Sequence, residues 1–224
     1  AIYAGHGTVF VTSLDGTASG TRTSFTENSA VSGGGAISLI PNNGTVAAEI
    51  KYADINQNTA SEYGGAIYAN TNLSMTDCIL DKNTATLGAS ALYVSGNLTV
   101  TGSDMTKCAI RNHSESVSGS MIRYSTTSAL SFTKCKISGN VLSDMTENGA
   151  YFPLKGSNSL SMTNCEFSGN TLPSTASTKY GGFAALYEGS TASLALKDTK
   201  VANCSGCKHG GAIYVKGGKS SSDG

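Results

Sequence analysis

Four cysteines, Cys78, Cys108, Cys135 and Cys165, follow one another at intervals of 30, 27 and 30 residues. Sulfur at such spacing can cross-link, bind metal or act as a nucleophile. If the interval is one turn of a repeat, the four share one phase and line a column, with neighbouring Cα atoms about 4.8 Å apart and within disulfide reach. Side chains stacked in register are poorly aimed for the disulfide torsion, and a buried thiol packs as a small apolar group. The expectation is a mostly reduced stack, with pairing among the four as the alternative. Cys204-Ser205-Gly206-Cys207 is a different case. A Cys-x-x-Cys is half of a zinc site, but no second pair follows and His209 does not complete four ligands, so a local Cys204–Cys207 disulfide is expected. A redox thiol would need an α/β setting that the chain lacks. No metal and no cofactor is expected.

The remaining reactive types are dispersed. His6, His113 and His209 fall at different phases and read as structural or solvent-exposed. Asp54, Asp77, Asp104 and Glu166 are scattered, with no pair to supply an acid and a base. Five Asn-x-Ser/Thr sequons, at Asn43, Asn72, Asn97, Asn112 and Asn203, are candidates for N-glycosylation. Asn43, Asn72 and Asn97 are expected on one edge, six or seven residues after a repeated Ala.

What must position these residues is a repeat. Gly-Gly-Ala-Ile stands at Gly34–Ile37, Gly64–Ile67 and Gly210–Ile213. Anchored on Ala, the copies fall at Ala36, Ala66, Ala91, Met121, Ala150, Ala185 and Ala212, with an eighth at Ala1, at intervals of 35, 30, 25, 30, 29, 35 and 27 residues. A unit of this size marks a solenoid, in which each unit buries its apolar side chains against its neighbours. Within a unit, Leu73-Ser74-Met75-Thr76 and Leu160-Ser161-Met162 alternate apolar and polar residues, as strands with one face in a core do. Every apolar stretch is too short for a helix. Three short strands per unit close one coil, and about seven coils make a rod roughly 35 Å long. The fold class is all-β, a single-stranded parallel β-helix over residues 1–215, with a Gly/Ser-rich flexible tail at 216–224. The glycines serve the bends and the close approach of the walls. A phosphate loop is excluded because strands rather than a helix follow them.

An Asn stands eight residues before three anchors, Asn28 before Ala36, Asn58 before Ala66 and Asn83 before Ala91. An apolar residue three before an Asn recurs as Phe25 with Asn28, Ile55 with Asn58, Leu80 with Asn83, Ile137 with Asn140, and Phe167 with Asn170. Amides repeated coil after coil can bond to those above and below as a ladder, and Asn also tolerates a left-handed bend.

Phe25-Thr26-Glu27-Asn28 followed by Gly34-Gly35-Ala36-Ile37, and Ile55-Asn56-Gln57-Asn58 followed by Gly64-Gly65-Ala66-Ile67, resemble the repeats of the chlamydial polymorphic outer-membrane proteins. The resemblance extends over nearly the whole chain. It implies a right-handed parallel β-helix, secreted or on a cell surface, used for adhesion or as a spacer. The chain departs from the pattern where His113 and Cys204 take the Asn position and Ser90 and Ser120 replace the second Gly.

Fifteen basic residues balance fifteen acidic ones, which argues against a nucleic-acid partner, and no apolar run approaches the length that spans a bilayer. No membrane insertion by this chain is expected. The expected role is non-catalytic, extracellular or cell-surface, structural or adhesive. Its partners would be further copies stacked end to end into filaments, or a glycan or protein ligand on a host or other surface. The alternative is a carbohydrate-active β-helix enzyme or polysaccharide-binding module, suggested by Gly5-His6-Gly7, a tripeptide that pectin-degrading hydrolases of this fold also carry. Tyr68, Tyr93 and Tyr214 share a phase and suggest a structural ladder. An ice-binding face would need regular Thr-x-Thr rows, and Thr21-Arg22-Thr23 is not repeated in phase.

Overall fold

Alternation along each strand sends every second side chain inward, and parallel stacking then converts each inward position into a column. The computed structural model describes residues 2–13, 16–17, 20–42, 46–115, 120–142, 151–172, 181–205 and 209–216. Among them all regular structure is strand, and every strand pair is parallel. The molecule is a parallel β-helix. Sheet 1 contains Ile2–Ala4, Ile37–Leu39, Ile67–Ala69, Leu92–Val94 and Ile122–Tyr124, then Phe152–Leu154, Ala184–Leu186 and Ile213–Val215. Sheet 2 stacks Gly7–Val11, Val46–Lys51, Leu73–Thr76, Leu98–Thr101, Ala129–Thr133, Ser159–Thr163 and Ser193–Lys197. Sheet 3 stacks Thr23–Thr26, Ala53–Asn56, Ile79–Asp81, Ala109–Arg111, Lys136–Ser138, Glu166–Ser168 and Lys200–Ala202. Two-residue strands such as Thr59–Ala60 and Thr84–Ala85 continue the coil after sheet 3.

The register fixes the coil length. Ile37, Ile67, Leu92 and Ile122 stand one above another, at steps of 30, 25 and 30 residues. All four are fully buried, each contributing about 2 kcal/mol by removal from water. Further along, the core becomes aromatic: Phe152 packs edge-on to Phe132 and Phe183 at centroid distances of 5.9 and 5.6 Å, and Phe167 lies 4.9 Å from Phe183. The register also corrects two of the anchors read from sequence. Phe152 pairs with Ala184, and Ala184 with Ile213, so the residues in the phase of Ala212 are Tyr151 and Phe183 rather than Ala150 and Ala185. Ala150 lies outside the described residues, and Ala185 faces Pro153 and Tyr214. Tyr151 fits this interior because its hydroxyl donates to Asn140 O at 2.6 Å or Thr171 O at 2.9 Å.

Sheet 1 is interrupted once. Phe152 N–H points forward to Phe183 O at 3.0 Å, so the next backbone nitrogen faces the preceding coil. That residue is Pro153, which has no hydrogen to give, and the strand ladder stops between Ile122–Tyr124 and Phe152–Leu154. Tyr124 spans the gap with a hydroxyl bond to Pro153 O at 3.1 Å.

Many of the corners are marked by a left-handed residue, although the passage from Leu98–Thr101 to Ala109–Arg111 has none. Tyr52, Asp77, Lys134, Asn164 and Asp198 make the corner between sheets 2 and 3, with φ between 48° and 54°. Glu27, Gln57, Lys82, Asn112 and Asn203 follow sheet 3, and Gly34, Gly64, Gly181 and Gly210 precede sheet 1. The ladder asparagines therefore do not supply the left-handed turn, as the sequence suggested. The residue before each one does, which frees the amide to point inward. Gly64 is needed for its φ of 69°, while its neighbour Gly65 is needed for space, since a Cβ there would lie 2.3 Å from Thr84 O and 2.4 Å from Ser90 O. Gly65→Ala is expected to destabilise the rod by about 2 kcal/mol through backbone displacement, seen as a lower urea midpoint.

Lys216, read from sequence as the start of the tail, still donates its N–H to Leu186 O at 2.9 Å. Residues 217–224 lie outside the described residues.

Candidate functional site

The corner between sheets 2 and 3 positions the cysteines. Ala109 N–H donates to Cys78 O, Lys136 N–H to Cys108 O and Glu166 N–H to Cys135 O, each at 3.0 to 3.1 Å, so the four sit one per coil in adjacent coils. All four are buried free thiols. Cys78 Sγ bonds to Ile50 O at 3.3 Å, Cys165 Sγ bonds to Thr163 O at 3.3 Å, and Cys135 N–H donates to Cys165 Sγ at 3.4 Å. Burial pushes the Cys78 thiol up to about 12. The Cys108 thiol beside Cys135, and then burial, hold Cys135 well above its ordinary value, and burial raises Cys165. Thiols so raised carry almost no thiolate at neutral pH and are poor nucleophiles. A maleimide reagent is expected to leave these four unmodified in the native rod for hours and to label all of them in denaturant, as mass spectrometry would read. Cys204 is half-exposed in the Asn phase, beside Asn170, and Cys207 lies outside the described residues.

The acids are separated and individually partnered. Asp54 accepts from Arg22 at 2.6 Å, and Asp81 from Arg111 at 3.1 Å and Asn112 at 2.9 Å. Glu166 accepts from Ser168 at 2.5 Å and lies 3.3 Å from Lys136, and the Ser168 hydroxyl holds its carboxyl below the usual range. Asp104 is held down by the Thr106 hydroxyl, and Asp77 accepts from Ser103 N–H at 2.6 Å. Among the described residues no group of three or more His, Cys, Asp or Glu is placed to hold a metal. His6 and His209 are exposed and His113 is buried.

The amide ladder is the most organised polar feature. Asn28 Nδ2 donates to Asn58 Oδ1, and Asn58 Nδ2 to Asn83 Oδ1, both at 2.9 Å. Asn83 Nδ2 lies 3.2 Å from His113 Nε2, His113 Nδ1 lies 3.2 Å from Asn140 Oδ1, and Asn140 Nδ2 donates to Asn170 Oδ1 at 2.9 Å. His113 thus substitutes for an amide within the ladder. Asn140 Nδ2 already serves two acceptors, Ile110 O and Asn170 Oδ1, so its Oδ1 can only accept. The imidazole therefore carries its hydrogen on Nδ1 and accepts from Asn83 at Nε2. Every link donates toward the later coil, an arrangement in which hydrogen bonds polarise one another.

Of the sequon asparagines, Asn72, Asn97, Asn112 and Asn203 are exposed, and Asn43 lies outside the described residues. Asn72 and Asn97 stand in one rank, where Asn72 Oδ1 accepts from Asn97 N–H at 2.8 Å and Asn97 Oδ1 from Ala129 N–H at 2.9 Å. Asn112 and Asn203 occupy left-handed corner positions on another edge.

Three outer faces result, each with its own chemistry. Sheet 1 presents Tyr68 stacked on Tyr93 at 4.5 Å with ring planes 5° apart, next to Tyr63, over which Arg123 lies at 4.8 Å. Stacking covers these ring faces, so they brace the coils rather than form an open platform. Sheet 3 carries the ion pairs just described. Sheet 2 presents hydroxyls: Ser74 and Thr76, Thr99 and Thr101, Ser131 and Thr133, Ser161 and Thr163 project outward between buried residues on four successive coils. A shallow groove of about 490 Å³ runs along its margin, beside Ala47, Asn72, Ser74, Asn97 and Thr99. The hydroxyl rows were not recognised from sequence, although the alternation that predicted the inward residues marks the outward ones equally.

The class of protein these observations define is a repeat-built parallel β-helix. Residues 22–39 and 53–70 match the Chlamydia polymorphic membrane protein repeat. Each match covers a sheet 3 strand, the ladder Asn, the glycine corner and the following sheet 1 strand. The repeat associates the chain with surface proteins of the outer-membrane type. No curated protein and no solved structure matches the chain. Among the described residues no helix is long and apolar enough to cross a membrane.

Proposed function

We propose that this chain is a non-catalytic, extracellular part of a surface protein, serving as a rigid spacer that carries adhesive faces away from the membrane. The observation that supports this is where the reactive side chains go. The amides and His113 bond to one another across coils, the thiols face the core, and Asp54, Asp81 and Glu166 each lie against a basic residue of an adjacent coil. The ligand is a glycan or protein on a facing surface, met by the side chains of the outer sheets. Copies stacked end to end are the other partner in this reading, because a strand edge left uncovered at the end of a rod accepts a further strand.

The test is binding of the purified chain, labelled at its N-terminus, to cultured cells and to immobilised glycans, with polysaccharide turnover measured in parallel. Saturable binding without turnover is the expected result. Turnover that disappears on replacing Asp54 or Glu166 would establish the carbohydrate-active enzyme instead.

A further inference from the structure

The outward face of sheet 2 is a grid rather than a stripe. Strand register aligns Ser74, Thr99, Ser131 and Ser161 in one rank and Thr76, Thr101, Thr133 and Thr163 in a second. Within a strand the two ranks are two residues apart, about 6.6 Å, and along each rank hydroxyls repeat about every 4.8 Å. The spacing is held rigidly from beneath, where Leu73, Met75, Leu98, Val100, Leu130, Phe132, Leu160 and Met162 are all buried.

Among the described residues none of these eight hydroxyls has a hydrogen-bond partner. Outward hydroxyls elsewhere, such as Ser38 and Ser138, also lack an internal partner among those residues, so what sets this face apart is the alignment of eight of them in two ranks over four coils. After sheet 3, Thr59 and Thr84 bond to each other across one coil at 3.2 Å, and Thr23, Thr71 and Thr199 each donate to a backbone carbonyl. The grid therefore directs donors and acceptors outward in a two-dimensional lattice.

The chemistry of the ligand follows by elimination. The grid contains no charge; the Glu49–Lys51 ion pair bounds it on one side and Lys197 on the other, so an ionic ligand has no partner within it. Those four strands hold no outward aromatic ring, so a sugar ring has no stacking platform. What remains is an uncharged ligand that donates and accepts hydrogen bonds and repeats in two dimensions. A single polymer chain repeats in one dimension and would use one rank. We infer that the hydroxyl face of sheet 2 binds ice, with Ser-x-Thr on three coils and Thr-x-Thr on one standing in for regular Thr-x-Thr rows: its two hydroxyl ranks hold lattice water, and the methyls of the all-threonine rank exclude loosely held water.

This inference does not rest on the adhesive reading, and its test is separate. The full chain, fluorescently labelled at its N-terminus, is presented to a single growing ice crystal. Adsorption to a defined crystal plane, with faceted growth, is expected. Thr76→Lys combined with Thr133→Lys places long charged side chains on alternate coils of the grid, facing solvent, and is expected to abolish adsorption without moving the urea midpoint. The same replacement on sheet 3, Ser138→Lys with Ser168→Lys, is expected to leave adsorption intact. Exclusion of the unaltered chain from the ice overturns the inference, as do adsorption that survives in the sheet 2 variant and adsorption lost equally in the sheet 3 variant. Retention on crystalline cellulose together with exclusion from ice would overturn it in favour of a saccharide surface.

Discussion

Asn140→Ala is expected to lower the stability of the rod by about 4 kcal/mol, far more than truncating an amide at the end of the same ladder. Asn140 is fully buried. Its Oδ1 accepts from His113 N–H at 3.0 Å and faces His113 Nδ1 at 3.2 Å, and its Nδ2 donates to Asn170 Oδ1 at 2.9 Å and Ile110 O at 3.2 Å. Truncation strands a backbone N–H, an imidazole N–H and a carbonyl in a dry interior, each costing about 1 to 3 kcal/mol, reduced where the coil relaxes or water enters. Asn170 Oδ1 is less affected, since Asn140 N–H still donates to it at 3.0 Å. Asn28 is the control. It is half-buried at the first rung, and Asn28→Ala is expected to cost only about 1 kcal/mol. Solenoids can unfold by segments, so urea unfolding should be read together with hydrogen exchange. Loss of protection should centre on the coils holding His113 and Asn170. Equal effects of the two substitutions would show that the ladder is not a significant source of stability.

The ladder illustrates what sequence could convey. An apolar residue three before an Asn and a Gly-Gly-Ala-Ile phrase recur in full or looser form, and each has a local cause: an inward apolar residue, an amide that bonds to its own repeat, a left-handed corner, and a position with no room for a Cβ. Such features are legible because they depend on residues within one unit. What stayed hidden depends on register between units. Tyr151 and Phe183 occupy the anchor phase but look unlike Ala, and only their pairing with Ala212 reveals them. Arg22 meets Asp54, and Arg111 meets Asp81, across 32 and 30 residues, a distance that means nothing until the coil length is known. Coil lengths vary between 25 and 30 residues even in the regular part, so counting from an anchor drifts out of phase. The hydroxyl grid was missed for the same reason. Ser-x-Thr pairs are ordinary in a Ser- and Thr-rich chain, and they become an array only when four coils align them.

The one departure in the buried ladder carries the strongest pH dependence. Burial, the dominant effect, lowers His113 from 6.5 to about 4, opposed by its hydrogen bond to Asn140, by the Asp81 carboxylate and by a backbone bond at Arg111. The geometry gives the same sign. Nε2 accepts from Asn83 Nδ2, and a proton there would set two donors face to face. Because the folded value lies below the unfolded one, the unfolded chain takes up the proton first as pH falls. The native rod is therefore at full stability above about 6.5 and loses roughly 3 kcal/mol as pH falls to about 4, with no further change once both states are protonated. The perturbed carboxylates act elsewhere on the scale. Glu166 and Asp104 are lowered from 4.5 and 3.8, so their contributions are present above those values and disappear below them. The window between 4.5 and 6.5 therefore isolates His113. His113→Asn replaces the imidazole with the amide found at the other rungs. Its urea midpoint should be nearly flat across that window, while that of the unaltered chain falls steeply. Parallel pH profiles for the two would place the acid sensitivity outside the ladder.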